Sequence, residues 1–378
     1  MKPILRFTNF DNDWEKIKLL KIASEISYGM NAASKEYDGE NKYIRITDID
    51  EQTNKYIHKN IVSPDGNLEE KFLVKENDIL FARTGASTGK TYLYDKNDGK
   101  LYYAGFLIKA NIINHNANFI FQQTKLNKYN NWVKIMSMRS GQPGINSQEY
   151  GSYKFSITSP EEETKVANFL SLLDKKIELQ SKKIEDLKLF KKGLILSLKK
   201  NSFDWHTVCI KDLFKITRGV VIPKNELSEF KNGEYKYPVY SSQTSNEGIL
   251  GYSDTFDFNG KYLTWTTDGA NAGKVFYRNG KFRCTNVCGV LYEDNIIFTN
   301  ELFAELLNYE TPKHVSYVGN PKLMNNVMAD IKIKIPSGDV QENTSLIINT
   351  INNKVNLEKK KLLKFKELKK GLMQNMFV

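Results

Sequence analysis

A chain of 378 residues is long enough for two domains, each with its own core, plus connecting elements. It contains no run of about 18 apolar residues and turns polar by Asn9, so neither a membrane span nor a signal peptide is expected, and the expected compartment is the cytoplasm. The net charge of +11 invites a nucleic-acid reading, yet residues 161–200 carry 10 Lys against 7 acidic residues and residues 339–378 carry 8 Lys against 4, so these two stretches hold +7 of it. Solvated, Lys-rich helix faces would account for most of the basicity.

In chain order, the first globular segment is placed at 1–158. It opens with Phe10, Asp11 and Trp14 and a short helical stretch to Ala23. Strand-like runs follow at Tyr43-Ile44-Arg45-Ile46, Asp78-Ile79-Leu80-Phe81 and Leu101 to Ala110, punctuated by Gly, Asn and Asp. A mixed α+β segment with a sheet core is expected.

A long helix is expected over 159–200. Ser159 stands as N-cap, Pro160 at the first helical position and Glu162 completes a Ser-x-x-Glu capping box, while Glu161 to Glu163 suit the positive end of the helix dipole. Its apolar seam runs through Val166, Leu170, Leu173, Ile177, Ile184, Leu187 and Leu194 in alternating steps of four and three, with polar Gln180 and Lys191 at seam positions.

The second globular segment, 201–336, restarts with Phe203-Asp204-Trp205 and carries strand-like Tyr237-Pro238-Val239-Tyr240 and Tyr262-Leu263-Thr264-Trp265. A second long helix, 337–378, is expected to begin near Asp339, with Glu342 as its capping partner, and to run to about Met376. Aligning Lys192-Gly193-Leu194 with Lys370-Gly371-Leu372 superposes the two helices at an offset of 178 residues. Its seam then reads Ile348, Ile351, Val355, Leu362, Phe365 and Leu372, and polar Glu358 and Lys369 fall on polar Gln180 and Lys191. Even the interruptions repeat. Two rods in one chain most simply pair and bury each other's seam, and an internal repeat of this length implies a pseudo-symmetric molecule with two similar modules held apart by them.

Two glycine-rich loops stand at matching places, Thr84-Gly85-Ala86-Ser87-Thr88-Gly89-Lys90 and Asp268-Gly269-Ala270-Asn271-Ala272-Gly273-Lys274. A nucleotide-binding P-loop needs four residues between its glycines, and these loops have three, so ATP hydrolysis is not expected. A strand-to-strand turn with glycines at positive φ is the plain reading; backbone N–H groups beside a Lys would also suit a DNA phosphate. A second matched pair is Ser140-Gly141-Gln142-Pro143 and Val318-Gly319-Asn320-Pro321, whose Gln and Asn can bond adenine bidentately or serve as turn residues. Cys209, Cys284 and Cys288 with four scattered His lack metal-ligand spacing, and neither an Asp/Asn-Pro-Pro-aromatic methyltransferase tetrad nor a catalytic triad stands out.

Taken in order, these features resemble the specificity subunit of a type I restriction-modification system. The resemblance rests on Arg6-Phe7 with Phe10 and Trp14, on Tyr43-Ile44-Arg45 and Asn77-Asp78-Ile79-Leu80, and on the paired Gly-Ala-x-x-Gly-Lys loops. The Pro160- and Pro336-containing starts of the helices and their Lys-Lys-Gly-Leu exits complete it. One departure is Ser337-Gly338-Asp339-Val340-Gln341, which lacks the Pro-Glu run of the first copy. The resemblance implies two target-recognition domains, each reading half of a split double-stranded DNA site, and paired helices that set the gap and dock two adenine methyltransferase subunits. It further implies restriction/translocase subunits as partners. S-adenosylmethionine, ATP and Mg²⁺ are expected on those partners and no cofactor or catalysis on this chain. Candidate DNA contacts are Arg45, Arg83, Thr84, Ser87, Lys90, Arg139 and Gln142 in the first segment and Gln243, Asn271, Lys274, Asn320 and Lys322 in the second. The alternative is a coiled-coil scaffold whose globular ends bind proteins, which would lack the steep salt dependence of phosphate binding.

Overall fold

The computed structural model describes residues 1–138, 141–200, 205–336 and 338–378. Arg139 and Ser140, the Phe203-Asp204 pair and Ser337 therefore lie outside the described residues. The chain forms two compact units, one of residues 1–180 with 361–378 and one of residues 181–360. The C-terminal stretch is thus part of the first unit, and each long helix contributes to both.

In the first unit a four-stranded sheet has the order Ala23–Tyr28, Leu107–Ile112, Asp78–Ala82, Thr91–Leu93, all neighbours antiparallel. Asp78–Ala82 reads Asp-Ile-Leu-Phe-Ala and is buried on both faces, which a continuous apolar run demands. A separate antiparallel pair, Glu15–Lys18 with Lys154–Ile157, delivers the chain into the first long helix. The expected helical stretch ending at Ala23 is a single turn, Leu19–Ile22, between two strands. Arg45 and Ile46 also leave the strand expected there: pairing stops at Ile44, and the Asp48 carboxylate accepts the Arg45 N–H at 2.9 Å to start a 3₁₀ turn. The core joins Trp14, Phe81, Phe119 and Tyr150 to Val166 and Leu170 of the first long helix, to Met373 and Met376 of the second and to Phe377 just beyond it.

The second unit repeats the plan. Its six-stranded sheet begins Lys215–Arg218, Cys288–Tyr292, Phe258–Thr266, Val275–Cys284, the counterpart of the first unit's order, and extends through Tyr237–Tyr240 and Ile249–Ser253. The pair His206–Cys209 with Lys332–Ile335 stands where Glu15–Lys18 and Lys154–Ile157 stand in the first unit. Trp265, Phe303, Leu307 and Met328 form the core with Ile195 and Ile348 from the helices.

The long helices span Pro160–Lys200 and Gly338–Met376. None of the thirteen apolar seam residues is exposed: Val166, Leu170, Ile184, Ile348, Ile351 and Val355 are buried, and Leu173, Ile177, Leu187, Leu194, Leu362, Phe365 and Leu372 are half-buried. The helices run antiparallel where they meet. In the first unit Lys369 pairs with Asp174 and Lys176 lies 4.6 Å from the Phe365 ring; in the second, Lys183 meets Glu358 at 2.9 Å and Lys191 meets Asn352 at 2.8 Å. Three polar seam positions, Lys191, Glu358 and Lys369, thus hold ion pairs or a hydrogen bond to a side-chain amide, a device that fixes register.

The helix starts differ from expectation. Ser159 Oγ does accept the Glu162 N–H, at 3.4 Å, but the Glu162 carboxylate does not reach back to complete a capping box. It is buried and accepts two 2.7 Å bonds from Arg6, one of 3.1 Å from the Trp14 indole and one of 2.5 Å from the Thr158 hydroxyl. Burial pushes this carboxyl up, but Arg6, Thr158 and Trp14 outweigh it and hold it below the ordinary Glu value. Glu163, equally buried, accepts from His115 and from the Asn116 N–H, both at 2.9 Å. The second helix starts at Gly338, so Asp339 sits within its first turn instead of capping it. There exposed Val340 stands in the place of Glu162, and buried Gln341 donates to the Ile297 carbonyl at 2.6 Å in the place of Glu163.

Candidate nucleic-acid interface

The two glycine-rich loops are hairpin connections. Thr84–Lys90 joins Asp78–Ala82 to Thr91–Leu93, with Gly85 at φ +76° and Gly89 at φ +90°, values that suit residues lacking a Cβ. Asp268–Lys274 joins Phe258–Thr266 to Val275–Cys284, with Gly269 at +91° and Gly273 at +86°. The second matched pair of loops, distant in sequence, lies against the first. Gly85 N–H donates to the Pro143 carbonyl at 2.9 Å, and Gly269 N–H donates to the Pro321 carbonyl at 2.9 Å. The residue before each loop is clamped on both sides. Arg83 N–H donates to Phe106 O at 3.0 Å while Arg83 O accepts from Ile145 N–H at 2.9 Å; Thr267 N–H donates to Val287 O at 3.1 Å while Thr267 O accepts from Leu323 N–H at 2.9 Å. Each unit therefore builds one composite surface from two loops, and builds it with the same backbone bonds.

Ten of the candidate side chains separate into three groups. Gln142 in the first unit, and Asn271, Lys274, Asn320 and Lys322 in the second, lie at the surface on these loops. The Gln142 amide lies over Gly85, where a Cβ would come within 3.2 Å of it, and Lys322 keeps a loose ion pair with Asp268 at 3.8 Å. Thr84 and Ser87 are half-buried and act through the backbone, Thr84 bridging to Gly144 and Ser87 O accepting the Lys90 N–H at 3.0 Å. Three candidates are turned onto their own unit. Lys90 donates to the Ile49 carbonyl at 3.0 Å with Glu51 at 3.6 Å, Arg45 makes a two-point pair with Asp48 at 2.8 and 2.9 Å, and the Gln243 amide donates to the Ile249 carbonyl. Arg139 lies outside the described residues.

Sequence reading missed several residues of this surface. Tyr28 lies beneath Arg83, the guanidinium carbon 4.7 Å from the ring centroid, and the Tyr28 hydroxyl accepts the Ser147 N–H at 3.1 Å. Burial raises the Tyr28 phenol, but the Ser147 bond and the Arg83 charge prevail and leave it below the ordinary tyrosine value. Next to it, Gly29 is pinched against the turn at 103–107: a Cβ there would sit 2.3 Å from Ala104 O. The second unit has Arg218 and Gly219 in these places, with a Cβ at Gly219 only 2.1 Å from Cys284 O. Phe106 on that turn is 63% exposed, and Tyr317 and Val318, on the loop of Asn320, are 68% and 92% exposed. The detectable signal was a glycine at the end of the first sheet strand in both copies, Tyr28-Gly29 and Arg218-Gly219.

The helices carry a second kind of surface. Opposite the seam, Leu172, Leu179, Leu363 and Leu368 are exposed in the first unit and Leu189, Phe190, Leu346 and Leu357 in the second. Leu179 and Leu357, and Phe190 and Leu368, occupy equivalent positions of the repeat. Among the described residues, no helix is long and apolar enough to cross a membrane.

The profile of the family described as type I restriction modification DNA specificity domain matches residues 12–189 and again residues 203–367. A type I specificity subunit N-terminus of Mycoplasma pneumoniae is 44% identical over 145 residues, 38% of this chain and 76% of that protein. Another type I specificity subunit from the same organism is 42% identical over 159 residues; the match spans 42% of this chain and less than half, 43%, of that relative's length. The crystal structure of a type I restriction-modification system S subunit from M. genitalium has the same fold, with a TM-score of 0.70 at 16% identity over 100% of this chain and 99% of that one.

Proposed function

Because this chain belongs to the family of type I restriction-modification DNA specificity domains, we propose that it is the DNA-reading subunit of such a system, with its two units reading the two halves of a split double-stranded site. The observation that carries this reading is the twofold use of one backbone frame. In each unit a glycine-rich hairpin and a Gly-x-Pro loop are locked by the same 2.9 Å bond, and each lock presents an amide side chain, Gln142 or Asn320, at the surface. Amide side chains there match adenine edges, and Lys274 and Lys322 match phosphates.

Catalysis is assigned to partners. The chain reads and positions; two adenine methyltransferase subunits dock on the exposed apolar positions of the long helices and bring S-adenosylmethionine, while restriction/translocase subunits bring ATP and Mg²⁺. Repeat-equivalent exposed residues, Leu179 with Leu357 and Phe190 with Leu368, support two copies of one partner. The compartment that goes with this role is the cytoplasm.

Two measurements test the proposal. The affinity of the purified chain for duplex DNA should fall steeply between about 50 and 200 mM salt, as neutralising several phosphates requires. Adenine methylation at a two-part motif should appear only when the chain is combined with a methyltransferase subunit. A salt-independent affinity, or methyl transfer by the chain alone, would refute it.

A further inference from the structure

Arg83 differs from Arg6 and Arg45, the other described arginines of its unit, in what holds it. Arg6 is paired with Glu162 and Arg45 with Asp48, both at two points. In the second unit Arg283 faces Glu226 and Asp257, and buried Arg278 donates to Thr264 and to the Glu247 carbonyl. Around the Arg83 guanidinium, among the described residues, no carboxylate, hydroxyl or carbonyl lies within hydrogen-bond reach. It lies instead over the Tyr28 ring, 4.7 Å from the ring centroid. A guanidinium held over a ring by cation–π attraction is fixed in place while its N–H donors stay available to a ligand.

The support beneath it is rigid. The Arg83 backbone is bonded to Phe106 on one side and Ile145 on the other, and Tyr28 is fixed at its hydroxyl by Ser147 N–H and at its neighbour Gly29 by the 3.2 Å bond to Leu107 O. The next residues of the chain are the Thr84–Lys90 loop, and the Gln142 amide lies over Gly85. A half-buried guanidinium with no ion pair among the described residues has donors left for water or for the acceptors of a ligand. Two kinds of acceptor on DNA qualify. A phosphate can take the guanidinium fork at two oxygens but is also served by a Lys ammonium from many directions, so it does not call for a donor clamped in one place. Guanine presents O6 and N7 side by side in the major groove and needs two coplanar donors, which an oriented guanidinium edge supplies.

We propose that Arg83 is a base reader, bonding O6 and N7 of a guanine in the half-site of the first unit, and that Tyr28 is its positioning residue. This rests on the DNA-reading function proposed for the chain. In the second unit the corresponding places hold Thr267 and Arg218, so that unit presents a different donor from the same frame.

The test uses the chain with the methyltransferase subunit of its own system, its motif read by methylome sequencing. The wild-type motif comes first: it must contain a specified G·C pair in one half. Arg83→Lys, which keeps the charge and loses the two-point edge, should then accept other pairs at that one position, discrimination there falling on the order of 10-fold. The rest of that half and the whole other half should be unchanged. Tyr28→Leu should relax the same position and Tyr28→Phe should relax it less. A wild-type motif with no specified G·C pair in either half overturns the inference whatever the variants do. An Arg83→Lys motif identical to wild type, meaning a phosphate contact or a structural role, also overturns it, as does relaxation of both halves alike. If wild type yields no two-part motif at all, it is the DNA-reading function that fails.

Discussion

Glu162→Gln removes one charge and almost no volume, and the surroundings of that carboxylate set its cost. The Glu162 side chain is 1% exposed and the Arg6 side chain 11%, so neither can be rehydrated without opening the junction between the N-terminal segment and the first long helix. Glutamine keeps one acceptor oxygen, but its NH₂ must face a guanidinium donor or the Thr158 hydroxyl, and Arg6 loses its counter-ion. Breaking a buried pair by neutralising one partner costs about 3–5 kcal/mol. The remaining neutral bond and the slight exposure of Arg6 return about 1 kcal/mol, leaving roughly 2–4 kcal/mol. For a unit of this size that is a fall of roughly 5–15 °C in its thermal transition. Circular dichroism melts of the whole chain at neutral pH provide the assay, with Arg6→Met made alone and together with Glu162→Gln to close a double-mutant cycle. Arg6→Met should cost far less when Glu162→Gln is already present than it does in wild type. The pH dependence has a definite sign. Because Glu162 is held below its unfolded value of about 4.3, its contribution is full above that pH and is lost as pH falls through the folded value. The gap between wild type and variant should therefore close in acid. A Glu162→Gln chain melting within about 2 °C of wild type at about pH 7 would refute the reasoning, since a pair of this burial cannot be neutral when half of it is removed.

Other substitutions test the same geometry. Lys274→Ala should weaken DNA binding across all sequences and reduce the slope of log affinity against log salt by about 1, whereas Lys90→Ala, its ammonium already on Ile49 O, should leave the slope nearly unchanged and lower the melting temperature instead; titrations at several salt concentrations separate the two. Phe377→Ala removes a ring packed 6.1 Å from Trp14 and 5.2 Å from Phe119 and should destabilise the first unit by about 3–5 kcal/mol, read by denaturant melts. Gly219→Ala places a Cβ 2.1 Å from backbone oxygen that cannot rotate away, so soluble yield and melting temperature should both collapse, by more than about 4 kcal/mol.

The helices were legible because burial with a 4-3 period leaves a periodic record in the chain, and every seam position read from that record is shielded in the fold. The loops were legible because positive φ at Gly85, Gly89, Gly269 and Gly273 restricts which residue can stand there. What local pattern could not give was the direction of a side chain with a distant partner. Ser-x-x-Glu is satisfied locally by Ser159 accepting the Glu162 N–H, yet the carboxylate goes to Arg6 and Trp14. Lys90 follows a glycine loop as a phosphate ligand would, yet its ammonium turns back to residue 49. In both cases the decisive contact lies some forty to more than one hundred and fifty residues away, beyond any spacing rule.

The same distinction bears on the proposal that one chain carries two readers. The bonds that recur between the units, Gly85 to Pro143 and Gly269 to Pro321, or Arg83 to Phe106 and Thr267 to Val287, run from backbone to backbone. Such bonds ask of a residue only an N–H or a C=O and a permitted φ, so they survive while side chains change. Tyr28 against Arg218 and Arg83 against Thr267 are exchanges made within an unchanged frame. A repeat stabilised through side-chain pairs could not diverge at those positions without losing stability; one stabilised through its backbone leaves the surface side chains free to differ. On the function proposed, the residues whose identity the frame does not dictate are the ones available to distinguish one half of a DNA site from the other. Single-sequence reasoning, which recovers the frame, is for that reason least able to name them.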